Sequence, residues 1–164
     1  MKKLLFITIS ILLLNNLSAQ THQLKFELGP SVVFPTRNLR IISSTGIGLD
    51  GTFLYQLSNK CTIFGYTGFD LFGGKSYSEL SIKSTFHVPL IAGVRYTRHG
   101  YFAGLGIGTG TYDFGRSGYS QTHFAFSPQI GYSFQKFELT TKYNYTVMNG
   151  LNPAYFSFTA AYKF

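Results

Sequence analysis

Tryptophan is absent from the 164 residues, and one cysteine, Cys61, leaves no partner for an internal disulfide and no thiol set for zinc. Charge is scarce. With 14 Lys+Arg and 6 Asp+Glu, only 12% of residues are charged against 45% apolar, which excludes a solvated, disordered chain. Beyond the first twenty residues no apolar run approaches the ~20 residues of a membrane-spanning helix, and no Ala/Glu/Lys/Leu-rich stretch suggests a helical bundle. What is there instead is aromatic and glycine-rich, with 17 Phe, 12 Tyr and 18 Gly. That composition belongs to a β protein.

The first residues read as an address. Lys2 and Lys3 precede an apolar run from Leu4 to Leu14, and Leu17-Ser18-Ala19 places a small residue at a cleavage position. This predicts a secretory signal peptide over residues 1–19, followed by a single domain over 20–164. A lipid anchor would need cysteine after the cut, where Gln20 stands. Export also takes the chain away from nucleic acid.

From Gln23 onward the apolar residues recur every second position, the mark of strands. Leu24, Phe26 and Leu28 open the series, and Phe156, Phe158, Ala160, Tyr162 and Phe164 close it. Eight such segments are present, most about ten residues long, which exceeds the ~5–6 residues usual in soluble proteins and suits a tilted membrane strand. Short connections at Ser58-Asn59-Lys60, Arg98-His99-Gly100 and Gln135-Lys136 alternate with long ones at Phe34 to Thr45, Gly73 to Ser84 and Asp113 to Thr122. Met148 to Pro153 is intermediate. The pattern predicts an all-β fold: an eight-stranded antiparallel up-and-down transmembrane barrel with its short turns facing the periplasm.

The two faces of the strands differ in charge. None of the alternating apolar positions carries a charge, as expected where Arg or Lys facing mid-bilayer lipid costs ~2–4 kcal/mol. The opposite positions carry Lys25, Arg95, Lys142 and Lys163 against Glu27, Asp50, Asp70 and Glu138. Four cations against four anions predict an ion-pair network plugging a narrow lumen. Lys25, Asp70 and Lys163 lie near strand ends, where plain solvation is the alternative. Gly104, Gly106, Gly108 and Gly110 share the inward face of the fifth strand, leaving room for Phe64, Tyr66 or Tyr155. Pro89 and Pro128 fall inside strands, and a bulge is expected at each.

Two stretches carry a resemblance. The last strand, Tyr155-Phe-Ser-Phe-Thr-Ala-Ala-Tyr-Lys-Phe164, resembles the C-terminal signal by which the barrel assembly machinery recognises its clients, with Phe158, Tyr162 and Phe164 as its aromatics. His87-Val-Pro-Leu-Ile-Ala-Gly-Val-Arg-Tyr96 followed by Tyr101-Phe-Ala-Gly-Leu-Gly-Ile-Gly-Thr-Gly110 is similar to the small outer-membrane protein beta-barrel domain family, the porin-like or PorT-like relatives of OmpX and of the OmpA barrel. The resemblance implies an outer-membrane barrel and transfers no catalytic residue.

Little in the sequence speaks for chemistry. His123 has Ser117, Ser120 and Asp113 in its vicinity, but nothing fixes a triad's spacing. His22, His87, His99 and His123 are dispersed, at no metal-ligand spacing, and no cofactor is expected. Arg37, Arg40, Lys75, Lys83 and Arg116 lie in the long loops, where they are candidates for contacts with lipopolysaccharide phosphates. The expected role is structural or interactive, without catalysis. A narrow solute channel is the alternative, followed by a lipid A-modifying enzyme and a secreted lipocalin-like binder.

Overall fold

Aromatic and β-branched residues two apart scatter around a helix, but on a strand they share one side. The computed structural model describes residues 24–77, 80–81, 84–114, 120–150 and 152–164, so the expected leader lies outside the described residues. Eight strands follow in order: β1 Leu24–Thr36, β2 Ser43–Gln56, β3 Cys61–Gly74, β4 Thr85–Arg98, β5 Tyr101–Asp113, β6 Ser120–Phe134, β7 Phe137–Thr146 and β8 Ala154–Lys163. Each pairs antiparallel with the next, and β8 closes on β1.

The register fixes the shape of the barrel. Following hydrogen-bonded partners from Phe26 through Phe53, Gly65, Ala92, Ile107, Phe126, Tyr145 and Ala154 leads back to β1 at Thr36. The path returns ten residues along the strand from where it began. That stagger over eight strands tilts them by roughly 40°. Even the ten-residue strands β7 and β8 then rise roughly 25 Å, the height of the apolar band of an outer-membrane barrel.

The bulges expected at Pro89 and Pro128 do not form. Thr67 opposite Leu90 and Asp70 opposite His87 keep one register across Pro89, and Phe126 opposite Tyr145 and Gln129 opposite Lys142 keep one across Pro128. A proline lacks a single N–H, which in a strand faces only one neighbour. The ladder on the other side therefore continues, with Pro89 opposite Gly110 and Leu105 opposite Pro128. Thr67 Oγ1 donates to the Pro89 carbonyl at 2.9 Å, tying β3 to β4 where the ladder is interrupted. Among the described residues the register shifts only between Ser43 and Gly46 of β2.

Connections sort to the two ends. The turns after β2, β4 and β6 share one end with the start of β1 and the end of β8, and at His99 and Gly100 both φ angles are positive, as a tight hairpin requires. At the other end the strands outrun the loops read from sequence. β1 continues through Pro35, opposite Tyr155, to Thr36, and a single helical turn, α1 Leu39–Ile42, leads into β2. A two-residue ribbon pairs Ser76–Tyr77 with Leu80–Ser81.

Candidate functional site

The outer wall is apolar from strand to strand. Ile47, Leu90, Ile107 and Ile130 are more than half exposed, each flanked along its strand by residues that turn inward. Aromatic pairs gird both ends. Tyr101–Tyr132 and Phe137–Tyr162 lie near the short turns, with Phe69–Phe86 and Tyr143–Phe156 nearer the long loops. The charges lie on the other side, a distribution opposite to that of a lipocalin-like barrel, whose greasy residues are shielded at the centre.

Side chains fill the bore in layers. Next to the short turns, Arg95 Nη1 of β4 donates to Glu138 Oε1 of β7 at 2.7 Å. Its guanidinium rests against the rings of Phe102 and Phe64, 4.2 and 5.3 Å from their centroids. In the middle, Lys142 Nζ of β7 donates to Asp50 Oδ2 of β2 at 2.6 Å, and Thr159 Oγ1 donates to the same oxygen at 2.5 Å. Tyr66 Oη bonds Asn144 Oδ1 on the opposite wall, above an apolar layer of Leu54, Phe64 and Ile91. Further on, Tyr155 Oη of β8 donates to Asp70 Oδ2 of β3 at 2.5 Å, and His87 Nδ1 lies 3.2 Å from that oxygen. An apolar cap of Val33, Leu39, Phe72, Tyr112 and Met148 covers the loop end.

The pairing departs from the four-against-four scheme. Arg95 with Glu138 and Lys142 with Asp50 are direct pairs, but Asp70 takes His87 and Tyr155 instead of a Lys or Arg. Lys25 stands exposed near the start of β1, because the lumen widens there into a mouth of about 140 Å³ open to water. Glu27 and Lys163 line that mouth, with Lys163 Nζ donating to Ser133 Oγ. Of the large neighbours expected beside the fifth strand's glycines, Phe64 packs on Gly106, together with Ile91. His87 and Arg95 crowd Gly110 and Gly104 in place of Tyr155 and Tyr66. At the final strand, Phe158 and Phe164 point outward, and Tyr162 is half-buried between the rings of Phe137 and Phe164.

Cations gather beside the cap. Arg37, Arg40 and Lys75 line a groove of about 400 Å³ with the hydroxyl residues Ser43, Ser44 and Thr45. Lys75 Nζ is held 2.6 Å from the Arg40 carbonyl, and the Arg37 guanidinium lies 5.4 Å from the centre of the Tyr145 ring. Lys83 and Arg116 lie outside the described residues. So does Ser117, while His123 Nε2 meets Gln121 Oε1 at 3.3 Å and Asp113 is paired in register with Ser120. Among the described residues no three His, Cys, Asp or Glu side chains could hold a metal ion.

The cap and the Asp70–His87–Tyr155 cluster were not legible in sequence. Leu39 and Met148 sit in connections with no period, and His87 carries no spacing signal. Only its place on the inward face was readable.

No family model matches the chain, and no curated protein matches it. Among solved structures it is similar to Ail, the attachment invasion locus protein of Yersinia pestis, with a TM-score of 0.61 and 18% identity over 87% of this chain and 98% of that one. Ail in complex with the heparin analogue sucrose octasulfate gives 0.57 and 13%, over 87% and 98%. The outer membrane protein OprG of Pseudomonas aeruginosa gives 0.54 and 12%, covering 87% of this chain and 95% of that chain. The chain thus has the fold of the small eight-stranded outer-membrane β-barrels.

Proposed function

We propose that this protein is an outer-membrane barrel whose task lies at its long-loop surface, the barrel serving as anchor and closed plug. The observation that carries this reading is the filled bore. Among the described residues, ion pairs cross it, a layer of Leu54, Phe64, Tyr66 and Ile91 fills it and an apolar cap covers its loop end, an arrangement that obstructs the passage of a solute. The working surface is then the groove of Arg37, Arg40 and Lys75, whose charge suits phosphate or sulfate esters on a glycan, lipopolysaccharide above all. Ail, of like fold, has been seen with a sulfated sugar, which supports that choice. The aromatic last strand, ending Phe158, Tyr162 and Phe164, is the segment through which the assembly machinery would take up the chain.

Planar-bilayer recording tests the plug, and lipopolysaccharide binding tests the groove. The expected results are no large, stable conductance and a loss of binding in R37Q/R40Q/K75Q. A steady conductance would favour the narrow-channel reading, unchanged binding would remove the groove, and lipid A altered on expression would establish an enzyme.

A further inference from the structure

The short turns carry exposed charged side chains of one sign. Of the six acidic side chains, Glu27, Asp50, Asp70 and Glu138 are buried in the bore, Asp113 ends β5 at the loop end, and Glu79 lies outside the described residues. The turns at the opposite end carry Lys60, Arg98, His99 and Lys136, all exposed, with no acidic side chain among them. Backbone hydrogen bonds place these turns on one ring. Thr97 N donates to Lys60 O, Ser133 N to Gly100 O and Lys163 N to Lys136 O, each at 2.8 Å.

An apolar groove of about 550 Å³ runs along the outer wall beneath two of these turns. Tyr101, Ile130, Tyr132, Leu139 and Phe158 form its exposed sides, and Ala160 lies low between Leu139 and Phe158. Tyr101 follows the Arg98–Gly100 turn directly, and Leu139 follows the Lys136 turn. The groove therefore leads from the cations toward mid-wall.

We propose that this rim and groove together hold an anionic phospholipid, its phosphate between Arg98 and Lys136 and one acyl chain along Tyr101, Ile130 and Ala160. The charge selects the occupant. A ring of turn cations, with no acidic side chain in the turns themselves, attracts anionic headgroups, each cation near a membrane surface strengthening the attraction about fivefold. The apolar channel beneath suits a hydrocarbon chain better than a soluble polyanion. The inference rests on the membrane placement proposed above.

Electron spin resonance tests it with the full chain in phosphatidylcholine bilayers containing spin-labelled phosphatidylglycerol or spin-labelled phosphatidylcholine. The immobilised fraction is expected to favour phosphatidylglycerol about fivefold or more, to lose most of that preference in R98Q/K136Q, and to fall for both labels in A160L. An inserted barrel that holds both lipids equally, or whose preference survives R98Q/K136Q, overturns the headgroup site while leaving the membrane reading intact. Undiminished immobilisation in A160L overturns the groove. A chain that does not insert into bilayers overturns both this inference and the reading it rests on.

Discussion

Lys142 and Asp50 are 92 residues apart in sequence, yet Nζ and Oδ2 meet at 2.6 Å inside the bore, joining β7 to β2 across two intervening strands. A strut of this kind is uneconomical to break from one side, because the remaining charge stays buried. Replacing Lys142 by Met leaves the Asp50 carboxylate with the Thr159 hydroxyl and no cation. The variant K142M is expected to lose ~3–5 kcal/mol of stability in urea unfolding, and K142M/D50L to recover most of it. A double variant as unstable as the single would remove the pair as the cause.

Tyr155 tests the layer beneath the cap. Its hydroxyl donates to Asp70 and lies 2.9 Å from His87 Nδ1. Y155F keeps the ring packed on Phe72 but deletes that donor. A loss of ~1–3 kcal/mol is expected in the same unfolding measurement, the penalty of a buried acceptor left short of a partner.

The glycine at position 106 has a packing role. A side chain there would run into Ile91 Cγ2 and the Phe64 ring. G106L is expected to cost ~1–3 kcal/mol by overpacking and to lower the temperature at which the folded band is lost on an unboiled SDS gel. T109L, on the outer face of the same strand, serves as the control that leaves this temperature unchanged.

Depth along the wall supplies a graded test. Ile107 lies mid-strand and Tyr101 at the rim, both more than half exposed. I107R is expected to cost ~2–4 kcal/mol of folding free energy in bilayers and Y101R about 0–1 kcal/mol. Equal and small effects would mean that the wall does not meet hydrocarbon.

The same physics explains what the sequence could convey. A period of two assigns Ile107 and Gly106 to opposite faces without knowledge of any partner, so the strands and their orientation were legible. Contacts inside the bore depend on the ten-residue stagger, which no local pattern encodes. Hence Arg95, Glu138, Lys142 and Asp50 could be placed on the inner face, while the union of Asp70 with His87 and Tyr155 could not be foreseen. The prolines misled because the lost N–H was charged to the whole strand. It affects only the neighbour it would have faced.

The central claim is that the apolar wall faces lipid and the polar residues face a closed bore. Nitroxide labels at Ile130 and Gln129, adjacent on β6 with one outward and one inward, test it most directly once Cys61 is replaced by Ser. In reconstituted bilayers the label at Ile130 should be relaxed by oxygen dissolved in the lipid and shielded from an aqueous nickel chelate, and the label at Gln129 should be shielded from the oxygen. A label at Ile130 fully accessible to the nickel chelate, on a chain that stays monomeric in buffer without detergent, would contradict the account.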